Sequence, residues 1–368
     1  MNRVEKALMH ALFVHLHHNA DKAIDFHAFK NLNDKISETL PGSMIVGPDA
    51  NDDAAVLKLP GEETYVVAKM ESHCSPCVPR PYDSSATGVG GSARDVVAMG
   101  ARPLFILDFI GTRPLDEEVI VGPCGFTGKC TCGNCKTMTS QERLNLMLKG
   151  IRDMCASLGM FVAGGGFSTS FSDIVPAMVI SAFGKLITKK PLTKPAKRAG
   201  NKLIIIGETG SDGNDTLYRA GLVPEMRPAL ALFKEERITM DSTLEAYKVD
   251  GIESCSDLGA AGLGAAVCES VRFGGFGATV DLSKVPLREE GLSPEEILIC
   301  ETQARMLLQV PPAHADEVIA AAGSKGARVE VIGEVTADDK AIFEYNGETV
   351  AVIPNKPSAE IMSELESI

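Results

Sequence analysis

The stretch Val66–Pro103, VVAKMESHCSPCVPRPYDSSATGVGGSARDVVAMGARP, carries most of the information about fold and function in this sequence. A β-type run that ends at Ala68 leads into charged residues, and a small-residue segment, 84–91, leads into the pair Arg94–Asp95. Titratable groups at a strand end, beside a glycine-rich helix start, suit an anion site, because backbone N–H groups receive phosphate and carboxylates hold a metal. A surface loop with helix caps would give the same pattern, so this stretch alone leaves both interpretations open.

The composition predicts a two-domain α/β protein. The chain has 368 residues, 45% of them hydrophobic and 5% aromatic, with 35 glycines. A chain of this length is usually divided between two hydrophobic cores. A net charge of −13 argues against a general surface for nucleic acid or anionic membranes, which needs clustered Lys and Arg. The N-terminal apolar pattern is broken by histidines, and no run approaches the roughly 18 apolar residues of a membrane span. We therefore expect a cytoplasmic protein whose ten cysteines are buried thiols or ligands.

The order of patterns along the chain predicts its division. Residues 1–188 are expected to form an N-terminal domain that contains a Cys-rich insertion, 112–140. A basic, Pro-broken segment, 189–201, is expected to be the linker, and strand and helix patterns then alternate through a C-terminal domain, 202–368.

Acidic residues stand at two further strand or helix starts. Asp52 and Asp53 precede an apolar strand and are either turn caps or Mg²⁺ ligands. Asp257 precedes a helix so rich in Gly and Ala that only close packing explains it, since glycine costs about 1 kcal/mol per site in a helix interior. Tight packing and a metal-ligating role for Asp257 are compatible.

The insertion contains four cysteines with the spacing C-x5-C-x-C-x2-C, at Cys124, Cys130, Cys132 and Cys135. Four thiolates amid Gly, Thr and Lys suit Zn²⁺ or an iron–sulfur cluster, although redox-active thiols or thiols without a ligand also fit this spacing. Cys74 and Cys77 either join that centre or line the pocket. In the N-terminal segment, His15, His17 and His18 fit a helix surface better than a metal site.

Motifs in the same order over residues 25 to 353 make the chain resemble the synthetase subunit of phosphoribosylformylglycinamidine synthase. The matching segments are Lys69–His73, Ala86–Gly91, Arg94–Val96, Met99–Pro103, Asp257–Leu263, Val285–Gly291, Glu301–Gln303 and Ile332–Val335. The wider superfamily includes aminoimidazole ribonucleotide synthetase, selenophosphate synthetase, thiamine-monophosphate kinase and the hydrogenase-maturation dehydratase. The resemblance implies an α/β (α+β) aminoimidazole ribonucleotide synthetase-like fold, in which an N-terminal ATP- and metal-binding domain dimerises through its sheet and a C-terminal α/β domain follows.

The resemblance also implies roles for individual residues. His73 would be the general base, and His27, in a looser match, a second catalytic histidine. ATP would be contacted by Lys69, Gly88, Gly90 and Gly91, and Mg²⁺ would be held by Glu71, Asp95, Asp257, Asp52 and Asp53. Substrate would be contacted by Ser72, Cys74, Ser75, Arg94, Glu301, Thr302 and Gln303.

The sequence departs from the family pattern where its substrate is expected to be chosen. The family's Glu-Ser-His-Asn-His-Pro is Glu-Ser-His-Cys-Ser-Pro at 71–76, and the expected Gly-Gly-Glu is Gly164-Gly165-Gly166. The family enzyme carries two tandem copies of this unit and this chain has one, so a homodimer is expected, with ammonia from a separate glutaminase or from solution. The resemblance implies a ligase that phosphorylates a carbonyl or amide oxygen and replaces it with nitrogen. A small-molecule kinase and a non-catalytic metal or redox sensor remain as alternatives.

Overall fold

Two mixed sheets, each covered by helices, form the framework of the protein. The computed structural model describes residues 1–15, 35–36, 38–47, 50 and 52–366. The first sheet has the strand order β1-β2-β3-β8-β4-β7. Its strands are β1 (Met44–Val46), β2 (Ala55–Lys58), β3 (Tyr65–Ser72), β4 (Ala101–Gly111), β7 (Phe161–Ser168) and β8 (Ala177–Leu186). All neighbours in it are antiparallel except β4 and β7.

Two long helices cover one face of the first sheet. These helices are α2 (Pro81–Ala98) and α3 (Ser140–Leu158). Helix α1 (Arg3–Met9), the first in the chain, packs on the second sheet. Helix α3 begins with a capping box in which the Thr139 side chain accepts from the Glu142 amide, and it ends at a left-handed glycine. Proline at the first position fits the start of α2, because its missing N–H has no helical partner there.

The other face of the first sheet is apolar and exposed. Met70 on β3 is 71% exposed, and Phe161 on β7 is 77% exposed. Leu104, Leu107, Phe109 and Phe167 are also large exposed hydrophobic residues on this sheet. A contiguous face of this kind normally marks a protein–protein interface.

The Cys-rich insertion folds as a small hairpin beside the first sheet. Strands β5 (Glu118–Val121) and β6 (Lys136–Thr139) pair antiparallel. The four cysteines lie in the connection between these strands, and the hairpin leads directly into α3.

The second sheet has the order β10-β12-β9-β13-β11-β14-β15. Its strands are β9 (Lys202–Ile206), β10 (Ser254–Asp257), β11 (Gly277–Asp281), β12 (Met306–Val310), β13 (Val329–Thr336), β14 (Lys340–Tyr345) and β15 (Glu348–Pro354). The helices described after residue 200 are α4 (Asp215–Arg219), α5 (Phe233–Ala246), α6 (Gly262–Gly274), α7 (Pro294–Ile299), α8 (Pro312–Gly323) and α9 (Ala359–Glu366).

The N-terminal helix α1 packs on the second sheet's core. Leu8 of α1, and Leu12 in the segment that follows it, are buried in one hydrophobic cluster with Leu203 and Ile205 of β9. The Glu5 carboxylate also accepts a hydrogen bond from the Val352 amide (3.0 Å). Residues 1–15 therefore lie with the C-terminal half of the chain, while a division at 189–201 stays a prediction.

Candidate functional site

Three aspartates from distant parts of the chain meet between the two sheets. Asp53 precedes β2, Asp95 lies in α2, and Asp257 ends β10. One carboxylate oxygen of each lies within 4.8 Å of the others, although more than two hundred positions separate the first from the last. This convergence is the central feature of the candidate site.

Burial disfavours the charged forms of two of these carboxylates, Asp95 and Asp257. Burial raises the pKa of Asp257 to about 6, and the charge of Asp53 adds to that rise. Burial and then the charge of Asp257 raise the pKa of Asp95 well above its usual value. The buried Oδ2 of Asp53 has no hydrogen-bond partner within the described residues. Closely spaced oxygen donors with an unpartnered oxygen fit a hard divalent cation such as Mg²⁺.

Two lysines offset part of this negative charge. Lys69 Nζ lies 2.7 Å from Asp95 Oδ2 and donates to the backbone carbonyl of Asp53 (3.0 Å). Lys194 Nζ lies 2.9 Å from Asp53 Oδ1 and 2.9 Å from Glu269 Oε2. Lys194 belongs to the basic segment interpreted above as a linker. Nothing in its local sequence distinguishes it from the neighbouring exposed lysines.

The other two predicted Mg²⁺ ligands stand beside the aspartate group without belonging to it. The Asp52 carboxylate accepts hydrogen bonds from the amides of Lys194 (3.0 Å) and Asp53 (3.0 Å), as a turn cap does. Glu71 lies close to α2, where a Cβ at Gly91 would be 3.4 Å from its Oε2. Their ligand roles stay predictions.

Arg94 ties the two halves of the molecule together at the edge of the site. Its Nη1 forms an ion pair with Glu236 of α5, and its Nη2 donates to Gln303 Oε1 (2.7 Å). Its Nε lies 3.6 Å from Asp257 Oδ2. The arginine and Glu236 are both almost completely buried. Glu236 carries no sequence signal, because it is one of several charged residues at the start of an amphipathic helix.

His73 is held in one tautomer by the backbone. Its Nδ1 lies 2.6 Å from the carbonyl oxygen of Ser84, and because a carbonyl only accepts, Nδ1 carries the proton and Nε2 the free lone pair. Burial lowers the pKa of His73, which favours the neutral ring. The His73 amide donates to Met178 O (3.0 Å), which ties the end of β3 to β8.

The helix in this region begins earlier than the sequence pattern indicated. Helix α2 starts at Pro81, so Gly88, Gly90 and Gly91 lie in its interior and the expectation of a glycine-rich helix start was wrong. Interior N–H groups are used by the helix itself and cannot cradle a phosphate. The glycines instead allow His73 and Glu236 to pack close to the helix backbone. A Cβ at Gly88 would lie 3.1 Å from His73 Cβ, and one at Gly90 would lie 2.8 Å from Glu236 Oε1.

The predicted substrate contacts divide into two groups. Thr302 is fully buried and its hydroxyl is hydrogen bonded to Gly210 (3.0 Å), so it stabilises the second domain and does not face the site. Glu301 similarly accepts from the Ala261 amide (2.9 Å). Ser72 ends β3, and the short 3₁₀ turn Ser75–Cys77 follows it. For Ser72, Cys74, Ser75, Arg94, Glu301 and Gln303, contact with a substrate stays a prediction.

His17, His18 and His27 lie outside the described residues, and only the backbone of His15 is described.

The four cysteines of the insertion come together at the tip of the β5–β6 hairpin. Sulfur atoms of Cys124, Cys130, Cys132 and Cys135 all lie within 4.8 Å of one another, and all ten cysteines are free thiols. Cys74 and Cys77 are not part of this group. Cys77 Sγ donates to His73 O (3.1 Å), and Cys74 Sγ accepts from the Met178 amide (3.3 Å).

Comparison with known proteins agrees with the architecture. The model of the AIR synthase related protein N-terminal domain matches residues 51–186, and that of the C-terminal domain matches residues 198–346. The PurL subunit of phosphoribosylformylglycinamidine synthase from Methanosarcina mazei is 35% identical over 87% of this chain and 43% of its own length. The corresponding protein of Methanopyrus kandleri is 34% identical over 88% of this chain and 43% of its own length.

Solved structures give the same result. Thermotoga maritima PurL complexed with ATP has a TM-score of 0.68 at 28% identity, covering 86% of this chain and 48% of that one. The same protein complexed with FGAR has a TM-score of 0.69 at 28% identity, covering 87% and 49%. HypE in the HypE–HypF complex has a TM-score of 0.62 at 18% identity, covering 89% of this chain and 100% of that one, which shows a shared fold.

The fold and the site define a two-domain α/β protein with a carboxylate cluster between its domains. The chain belongs to the AIR synthase related proteins and is PurL-like within them. It spans about half the length of the PurL proteins that it matches. The predicted two-domain aminoimidazole ribonucleotide synthetase-like fold is confirmed.

Proposed function

We propose that this protein is an ATP- and Mg²⁺-dependent ligase of the PurL type. The observation that carries the proposal is the convergence of Asp53, Asp95 and Asp257. PurL of Thermotoga maritima has been solved with ATP and with FGAR, and its likeness to this chain supports the same classes of ligand here. Bound Mg²⁺ would offset the negative charge of the nucleotide phosphates.

The proposed reaction has two steps. The γ-phosphoryl group of ATP is transferred to the amide oxygen of the substrate, which releases ADP. Ammonia then attacks the activated carbon, phosphate leaves with the oxygen, and the nitrogen loses a proton to a base. His73 fits the base because its Nε2 lone pair is free of the Ser84 hydrogen bond. Lys69, beside Asp95, is positioned to neutralise phosphate charge.

Phosphorus NMR of a reaction mixture tests this proposal against a kinase of the same fold. Protein, ATP, Mg²⁺, FGAR and ammonium should produce ADP and inorganic phosphate in equal amounts, and only when both FGAR and ammonium are present. A phosphoryl group that remains on the organic product would instead identify a kinase, and no ATP consumption with any of these substrates would refute the ligase.

We propose that the protein acts as a homodimer that pairs through the exposed face of the first sheet. The side chains of Met70, Phe161 and Phe167 are well exposed on this face. A second copy is the proposed occupant, because the resemblance to this superfamily implies dimerisation through this sheet. A chain in the structure of PurLQS from Thermotoga maritima also matches (TM-score 0.63), and it supports a separate glutaminase as ammonia donor.

We further propose a cytoplasmic location and a metal, either Zn²⁺ or an iron–sulfur cluster, at the four cysteines. ATP and free thiols both belong to the reducing cytosol. Among the described residues, no helix has the length and apolarity to cross a bilayer. The small-molecule substrate and the absence of nucleic-acid binding are proposed from the resemblance and from the negative net charge.

A further inference from the structure

The four-cysteine group is placed where it could act on the candidate active site. We propose that Cys124, Cys130, Cys132 and Cys135 bind one tetrahedral Zn²⁺ ion and that this ion braces the loop that carries His73. Only the catalytic role of His73 rests on the proposed function; the zinc site and its contacts with the loop do not.

The distances between the sulfur atoms favour a single ion over a cluster. Four thiolates at about 2.3 Å from one ion lie roughly 3.8 Å from each other in a tetrahedron. Cys132 Sγ and Cys135 Sγ are 3.8 Å apart, and all four sulfur atoms lie within 4.8 Å. An iron–sulfur cluster distributes its cysteines over several irons, so sulfurs on different irons lie farther apart. The geometry therefore selects the mononuclear alternative.

The backbone around the cysteines is arranged for thiolates. The Cys124 amide donates to Cys135 Sγ (3.3 Å), and the Asn134 amide donates to Cys132 Sγ (3.4 Å). Hydrogen bonds of this kind orient metal-bound sulfur and stabilise its charge. Gly122 adopts φ +138°, and a Cβ there would lie 3.0 Å from Cys135 Sγ. The turn thus depends on glycine where the chain approaches a sulfur.

The hairpin tip contacts the segment that follows His73. A Cβ at Gly125 would lie 2.5 Å from Val78 Cγ1, so the tip and Val78 are in direct contact. Val78 is completely buried and its amide bonds to Ser75 O (3.1 Å). The Cys77 thiol in the same turn donates to His73 O (3.1 Å). A displacement of the hairpin tip would therefore move Val78, and through the short turn before Val78 it would move the backbone of His73.

The tip also contacts the segment that precedes β8. A Cβ at Gly128 would lie 3.5 Å from Ile174 Cδ1, and the Ile174 carbonyl accepts from the buried Arg143 (3.0 Å). Four residues after Ile174, the Met178 carbonyl accepts a hydrogen bond from the His73 amide. Both chain segments that hold the His73 backbone are thus supported by the same small hairpin. Such a hairpin has little hydrophobic core of its own, and a bound ion supplies the rigidity that it lacks.

The metal itself is tested by elemental analysis of the full chain, purified without added metal. We expect about one zinc per chain in the unaltered protein. The variant Cys130→Ser/Cys132→Ser should lose this zinc, while Lys129→Ala, an exposed residue of the same loop, should keep it. Cobalt(II) in place of zinc should give the strong absorption of tetrahedral thiolate coordination. Iron with acid-labile sulfide, or zinc that survives in the double variant, would overturn the assignment.

The bracing role is tested by hydrogen exchange, which needs no turnover and so can fail independently of the proposed ligase. In the double cysteine variant, exchange in peptides covering 73–80 and 174–178 should be about tenfold faster, with peptides covering 329–345 unchanged. If exchange rises in all peptides of the double variant, a second variant, Val78→Ala, tests the brace, because it removes the contact between Val78 and the hairpin tip and leaves the cysteines in place. That variant should keep its zinc and show faster exchange at 73–80. Zinc binding with unchanged exchange at 73–80 in both variants would refute the brace.

Discussion

Arg94 and Glu236 form a buried ion pair that joins the first domain's α2 to the second domain's α5. Both side chains are withdrawn from water, and the same guanidinium also binds Gln303 and approaches Asp257. The pair therefore fixes the position of one domain against the other at the place where the three aspartates meet.

Glu236→Gln should destabilise the protein by about 3–5 kcal/mol, because it leaves the buried Arg94 charge uncompensated. Urea unfolding followed by circular dichroism measures the change. The neighbouring, exposed Glu235 provides the control, since Glu235→Gln should change the free energy of unfolding by less than about 0.5 kcal/mol. Equal effects of both substitutions would contradict the buried pair.

Asp257→Asn should weaken binding of ATP–Mg²⁺ by roughly 100-fold, about 2.7 kcal/mol, because one of three converging carboxylates is neutralised. Isothermal titration calorimetry with ATP, with and without Mg²⁺, measures it. The exposed Asp338 on the second domain supplies a control of the same chemistry, and Asp338→Asn should bind normally. Unaltered binding in Asp257→Asn would remove this residue from the metal site.

His73→Gln should lower turnover by roughly 10²–10⁴-fold with little change in nucleotide affinity, if the imidazole acts as base. Because burial lowers the pKa of His73, the unaltered protein should lose activity only as the pH falls through a value below about 6.5, where Nε2 becomes protonated. Turnover rates measured from pH 5 to 8 test this loss of activity at low pH. His314→Gln serves as control, and a profile that His73→Gln leaves intact would argue for another base.

Phe161→Lys should convert the proposed homodimer to a monomer, because it places a charge on the exposed apolar face, at the most exposed of its large hydrophobic residues. Sedimentation velocity of both forms measures the mass in solution. Tyr218→Lys changes an exposed aromatic residue on the second domain and should leave the dimer intact. A monomeric unaltered protein would refute the dimer itself.

Local sequence patterns were sufficient for the elements whose burial follows a simple period. The strand and helix patterns predicted from residue 202 onward correspond to real elements, among them the buried strands Lys202–Ile206 and Met306–Val310. The start of α2 was misjudged, because Ser84–Gly91 has the composition of a loop and becomes helical only through packing. Gly150 of α3 shows this packing, since a Cβ there would clash with Ser85 of α2.

The sequence by itself determined the two-domain fold, the family and the types of residue in the site, because motif order and hydrophobic period are local properties. Only the tertiary structure decided which residues meet. It brought Lys194 from the presumed linker to Asp53, paired Arg94 with Glu236, and removed Thr302 from the site. These contacts join positions far apart in the chain. A buried charged group needs a partner, and the tertiary fold decides which distant residue becomes that partner, so no local pattern records it.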